Sequence, residues 1–241
     1  MTPLENLKSM LSREYLSEDK EVYQVQLLDG MTDSEIEDYG GSLPNGHLPA
    51  EINELLKFAR GFEFGVFEEF RFDSYGEFGF EEMFPHSIPL ASDGFGNFWI
   101  LDVDSMGNWK EVYYMCHDPA VLVKHSENLT DFIGHVNEFG LKLRDSHLDQ
   151  VHEKIVMDIW RDKPGTIALN EREYSFSEAI TAQLPEAFVV VDLTDKPVGA
   201  GFAWGKFGAN AKIIRVEDKP IWIIEKKIKR GFLSRLFSRN V

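Results

Sequence analysis

The sequence predicts an α+β fold, and three patterns carry that prediction. Apolar residues recur at spacings of three and four through much of the first 60 positions. Strand-sized apolar runs dominate from 62 to 117. A second mixture of helical and strand patterns follows residue 146.

Taken in order, Leu4, Leu7, Leu11 and Tyr15 predict an amphipathic helix over residues 4–16. A strand over 22–28 ends at Asp29-Gly30. Thr32-Asp-Ser-Glu35 has the form of a capping box, so a second short helix starts there and is broken by Gly40-Gly-Ser-Leu-Pro-Asn-Gly46. The clearest helix spans 48–61. Pro49 suits its first turn, Glu51 and Glu54 favour its positive end, and Ile52, Leu55, Leu56 and Ala59 form its buried face. Gly61 is the natural terminator.

Strands then take over. Residues 62–84 hold nine aromatics and seven acids against one arginine, Arg71. Ile88-Pro-Leu-Ala-Ser leads into the turn Asp93-Gly-Phe-Gly-Asn97. Phe98-Trp-Ile-Leu-Asp-Val is a continuous apolar run, hence a buried strand. A turn at 104–108 feeds Glu111-Val-Tyr-Tyr-Met-Cys-His117, and a helix opening at Ser126 closes the unit. Further on, 147–160 and 175–183 read as helices. Residues 188–193 and 198–204 read as one hairpin across Thr-Asp-Lys-Pro197, and 212–216 with 221–225 as another across Glu-Asp-Lys-Pro220.

Composition narrows the function. Net charge is −16 and 43% of residues are hydrophobic, which is globular rather than disordered. Residues 1–150 carry 29 acidic and 10 basic residues, whereas 151–241 carry 12 and 15. That switch argues for two modules, 1–145 and a C-terminal α+β module over 146–241. A chain half so acidic repels nucleic acid and steers association towards basic partners, unless the acidity only keeps the protein soluble. A single cysteine, Cys116, excludes a disulfide framework and favours a reducing compartment. No secretory leader and no membrane span are expected, so the expected location is cytoplasmic.

Chemistry finds little foothold. Asp102-Val-Asp104 with Gly107 resembles half a calcium loop, but Met106 stands where an oxygen ligand is needed and Tyr113 where the bidentate Glu belongs. It reads as a turn. No dinucleotide fingerprint or phosphate loop occurs, and the seven histidines lack zinc spacing. Cys116 and His117 are neighbours in a strand and point to opposite faces, which is wrong for a nucleophile and its base. No metal, no organic cofactor and no enzyme activity are expected.

The acidic-aromatic segment admits two readings. Its Phe residues can fill a sheet core while Glu68, Glu69, Asp73, Glu77, Glu81 and Glu82 solvate the other face. The same six acids can also form a surface for a cationic partner. The tail from Lys226 to Arg239 carries six basic residues, with Phe232, Leu233, Leu236 and Phe237 on one helical face. It could meet an anionic membrane surface, a partner, or the protein's own acidic half.

Leu48-Pro-x-x-Ile-x-x-Leu-Leu-x-x-x-x-Gly61 and Ile88-Pro-Leu-Ala-Ser-Asp-Gly-Phe-Gly-Asn-Phe-Trp-Ile-Leu-Asp102 form an ordered pattern. Val112-Tyr-Tyr-Met-x-His-Asp118 and Ser126-x-x-Leu-x-x-Phe-Ile133 continue it. Over roughly residues 30–140 this order resembles the SUKH superfamily, whose best-known branch is the Smi/Knr cell-wall-regulator family. One departure is Arg60, where that family usually has Asn before the glycine. The resemblance implies one curved, mainly antiparallel sheet with helices packed on one side. It also implies non-catalytic protein binding. Bacterial members look like immunity proteins that neutralise a cognate polymorphic, contact-dependent toxin, and many such toxins are basic nucleases. Fungal members look like regulatory scaffolds, which is the alternative reading. The resemblance says nothing about residues 146–241.

Overall fold

A computed structural model describes residues 1–65, 67–76, 79–162, 166–167, 174–208 and 210–226. The basic tail after Lys226, and Glu77, lie outside the described residues. The first half opens with α1 (Pro3–Met10), β1 (Tyr15–Leu16), β2 (Val22–Tyr23), β3 (Gln26–Leu27), α2 (Asp33–Ser42) and α3 (Ala50–Phe58). It continues through β4 (Gly61–Phe64), β5 (Phe67–Arg71), β6 (Ser87–Ser92), β7 (Phe98–Val103), β8 (Trp109–Cys116), β9 (Val121–Ser126) and α4 (Leu129–Lys142). Next comes a continuous helical path: α5 (His147–Gln150), one π turn over Val151–Ile155, and α6 (Val156–Asp162). The chain then forms β10 (Thr166–Ile167), α7 (Glu178–Thr181), β11 (Phe188–Asp192), β12 (Gly201–Phe202), β13 (Ile213–Arg215) and β14 (Ile221–Glu225).

The fold is α+β, as the sequence predicts. A five-stranded sheet, ordered β12-β9-β8-β7-β6, is antiparallel throughout. Its central strands carry long apolar runs because both faces are covered. Along β8, Val112, Tyr114 and Cys116 enter one core, while Tyr113 and Met115 enter another. Along β9, Val121 and Val123 go one way and Leu122 the other. The period-two alternation of a strand thus feeds two separate cores.

On the first face sit α1, α3, α4, α5 and α6, with Leu7, Ile52, Leu55, Phe132 and Val136 buried between them and the sheet. On the second face lies a four-stranded antiparallel sheet ordered β10-β11-β14-β13. Trp222 of β14 is its centre. It is fully buried, ringed by Phe84, Tyr113 and Phe202 at 5.3–5.9 Å, and its Nε1–H donates to the Met83 carbonyl at 3.0 Å. Ile180 of α7 covers the outer face of that sheet.

Several expectations change in detail. The first helix ends at Met10 rather than Leu16, because Tyr15 turns inward as a strand residue and donates its hydroxyl to Asn137 Oδ1 at 2.8 Å. The strand expected over 22–28 is two fragments serving different sheets, β2 with β1 and β3 with β4. Gly61 does not terminate α3; it opens β4. A Cβ there would overlap the Phe70 carbonyl oxygen, so close strand approach, not helix capping, requires the glycine.

The hairpin expected from 188–193 and 198–204 does not form. β11 pairs with β14, whereas β12 crosses to the edge of β9 in the five-stranded sheet. The hairpin of β13 with β14 does form. The capping box is present as expected: Thr32 N–H donates to Glu35 Oε2 at 2.7 Å, and Thr32 Oγ1 accepts from Glu35 N–H at 3.3 Å. Packing is also continuous across residue 145, since Leu148, Val151, Val156 and Ile159 complete the first core.

Candidate functional site

The six acids proposed from sequence fall on β5 and the turns after it. Phe62, Phe64, Phe70 and Phe72 point inward and are buried, which frees the alternate positions for charge. Glu68 and Glu69 lie on β5. Arg71 gathers two of the acids: its Nη1 donates to Glu69 Oε1 at 2.8 Å, while Nε and Nη2 grip both oxygens of Asp73 at 2.9 Å. Arg60 adds a second cation, 3.9 Å from Asp73 and 3.0 Å from Glu35. Repulsion at Glu69 and Asp73 is therefore locally neutralised. Glu81 accepts from the Gly79 N–H at 2.8 Å, and Glu82 is exposed.

A second site lies at the seam of the two sheets. Asp102 of β7 and Arg215 of β13, 113 residues apart, form a buried ion pair through Oδ2 and Nη2. Burying two charges costs several kcal/mol, so they need further partners. Arg215 Nε donates to the Lys219 carbonyl at 3.1 Å, and the guanidinium lies over the rings of Trp222 at 5.1 Å and Phe84 at 5.3 Å. Burial pushes the Asp102 carboxyl up to about 6, with Arg215 opposing the shift. Beside the pair is a cavity of about 440 Å³ edged by Pro85, His86, Ser105 and Asp218. Asp218 accepts from the backbone and hydroxyl of Ser105 at 2.7 and 2.6 Å, stitching the two halves at the rim. No local pattern announces this pair, since its partners are distant in sequence. Asp104 is a turn residue, as the sequence predicts, accepting from Met106 N–H and Asn108 N–H.

A third grouping escapes spacing rules altogether. His125, His135 and His147, from β9, α4 and α5, bring their rings within 4.1–5.6 Å of one another. His125 is fully buried, its Nδ1 paired with Ser126 Oγ at 2.8 Å. Burial first, and the neighbouring imidazoles second, hold its pKa well below the usual value; His135 is lowered by burial and His147. The rings meet edge to face, with His135 and His147 tilted at 31° to each other. Among the described residues no group of three or more His, Cys, Asp or Glu is placed to hold a metal. The Cys116 thiol is buried, and burial pushes it up, the wrong direction for a nucleophile.

A family model described as SMI1 / KNR4 family (SUKH-1) matches residues 15–135, half of the chain. The chain belongs to the SMI1/KNR4 family. Searches of curated proteins and of solved structures returned no match. SMI1/KNR4 proteins are binding modules known as immunity proteins and regulators. The family segment contains all six acids, Asp102 and His125, whereas Arg215, Asp218 and His147 lie beyond it. Two of the three groupings thus join the family segment to the C-terminal part of the chain. No helix among the described residues is long and apolar enough to cross a membrane.

Proposed function

We propose that this protein is a cytoplasmic, non-catalytic immunity protein that binds and masks a cognate toxin domain, a basic nuclease being the partner its charge fits best. The observation that carries this reading is membership of the SMI1/KNR4 family over residues 15–135. Charge supports it: a surface of net −16 attracts a basic domain over a Debye length and raises the encounter rate. Glu81 and Glu82, after β5, supply rim charges, which act mainly on association rate. A regulatory scaffold is the second reading, favoured by the 106 residues that come after the family segment.

Co-purification of the full chain from its native host, with identification of the bound protein, tests the reading. A basic toxin domain whose toxicity is relieved by co-expression is the expected result. A non-toxic regulatory partner replaces it with the scaffold. Reversing Glu68, Glu69, Glu81 and Glu82 to Lys should slow association about tenfold at low salt and flatten its salt dependence. An unchanged on-rate makes this segment a solvated face only.

A further inference from the structure

At one end of the helix-covered face, between β7, β8 and the start of α5, lies a cavity of about 280 Å³. That is below the ~300–1,000 Å³ of sites for drug-sized ligands and suits a single side chain. Its walls are aromatic. Phe67 meets Trp99 edge-on at 5.4 Å and Phe139 at 5.1 Å, and Trp99 packs on Tyr114 at 5.0 Å. His152 closes the ring, 6.0 Å from Tyr114.

Two acids from different elements share the lining: Asp93 from the turn after β6, and Asp149 from α5. Among the described residues no lysine or arginine lines the cavity. Burial, and then repulsion by Glu153, raise the Asp149 pKa; Arg144, which opposes this, is already held by Glu18 at 2.9 and 3.1 Å. Phe95, at the tip of the Asp93–Asn97 turn, is 85% exposed beside the opening. An exposed aromatic next to a desolvated pocket is the arrangement found at interface hot spots.

The walls and the two acids narrow the ligand further. Guanidinium is flat, stacks on aromatic faces and donates N–H bonds to carboxylates in several directions, which a quaternary ammonium cannot do.

We propose that this cavity receives an arginine side chain presented by an extended segment of the protein partner, the guanidinium lying among the aromatic rings between Asp93 and Asp149. The inference rests on the reading of the chain as a protein-binding module and names the group it recognises.

The test needs no native partner. The full chain is titrated with N-acetyl-arginine-N-methylamide while the Trp99 indole N–H resonance, assigned by Trp99→Phe, is monitored. The neutral citrulline analogue and tetramethylammonium serve as comparisons. Saturable movement of that resonance with a Kd of order 1 mM is expected. The citrulline analogue and tetramethylammonium should each bind about tenfold more weakly. Asp149→Asn, at a half-buried position of α5, should weaken the arginine compound about threefold with the spectrum of the fold unchanged. No saturable shift up to roughly 50 mM, where even a weak site fills, overturns the proposal. So does citrulline or tetramethylammonium binding as well as arginine. A failed titration beside a co-purified basic toxin would sink the cavity and keep the immunity reading; a regulatory partner beside a working titration would do the reverse.

Discussion

The two faces of the five-stranded sheet are covered in different ways. On the helical face the covering elements come from both sides of the strands in sequence, and the contact is mainly hydrocarbon and aromatic, from Leu7 on α1 to Ile159 on α6, with the three histidine rings within it. The opposite face is covered by strands that begin 40 residues after β9 ends. There the contact centres on one tryptophan, holds a charged pair, and leaves the Tyr113 hydroxyl without a partner among the described residues. A hydroxyl-stitched rim at Ser105 and Asp218 surrounds it. This is the anatomy of an interface: an aromatic centre, a desolvated ion pair and a polar edge. The helical face supplies bulk stability, whereas the second fixes how the C-terminal sheet docks. A buried ion pair does this poorly as a source of stability and well as a constraint on alternatives.

Cutting the chain gives the largest expected effect. The division at residue 145 is a proposal from charge, and a fragment of residues 1–145 tests it. Such a fragment uncovers Tyr113, Met115 and Leu122 on one face and loses Leu148 and Val151 from the other core. We expect it to bind a hydrophobic dye and to unfold without a sharp urea transition. A monomeric fragment with the midpoint of the full chain would make the first half self-sufficient and the second face an accessory.

Next in size is Arg215→Met. It leaves the buried Asp102 carboxyl without its partner, to stay charged unpaired or take up a proton, and should cost ~3–5 kcal/mol in urea unfolding. Adding Asp102→Leu should recover most of that loss, because the pair as a whole contributes little net stability. A loss of under ~1 kcal/mol for the single variant would mean that water reaches Asp102 and the seam is no desolvated interface.

Acid separates the faces by sign. His125 and His135, on the helical side, have folded pKa values lowered by burial and by their imidazole neighbours. Below an unfolded value of ~6.5, the unfolded chain binds protons that the fold refuses. Their contribution is therefore fully present above that pH and is lost as pH falls. Asp102 acts the other way, since its folded value of about 6 lies above that of an unfolded Asp, so protonation relieves a penalty. Urea midpoints measured from pH 7.5 to 5 should fall, and His125→Gln should flatten the curve. A curve that His125→Gln leaves unchanged would locate the acid sensitivity elsewhere.

The smallest effect is confined to the helical face. Thr32→Ala removes the hydroxyl of the α2 capping box and should cost ~1 kcal/mol without altering the seam. The check is a urea midpoint shift with the Trp222 indole resonance unmoved. A moved resonance would show that the two faces are coupled.

Legibility in the sequence tracks the range of each interaction. The Thr32–Glu35 box, the buried face of α3 and the β13–β14 hairpin are specified within a few residues, and they appear where expected. The box at Thr2 and Glu5 carries the same signal and is equally local. So is β9, whose Val-Leu-Val run comes directly after Pro119 and Ala120. The fate of 198–204 is not legible, because a Pro-containing turn looks the same whether the next strand folds back or crosses to another sheet. For the acids, local counting finds the charge but not the geometry by which Arg71 faces both Glu69 and Asp73. The three histidines and the Asp102–Arg215 pair meet only through the tertiary fold, so no spacing rule reaches them.

The two-residue strand β12 has a consequence for how the chain is made. Gly201 and Phe202 pair with Val123 and Leu122, and Lys124 exchanges backbone hydrogen bonds with Gly199 and Ala200 at 2.8 Å. During synthesis β9 emerges about 80 residues before that cover exists. Through that interval a nascent chain presents Val121, Leu122 and Val123 as an open, apolar strand edge, the surface on which chains pair with one another. Translation of these residues is therefore a window of exposure that closes only when Gly201 leaves the ribosome. Slowing translation within it, by rare codons between 130 and 200, should raise the insoluble fraction more than the same slowing after 210.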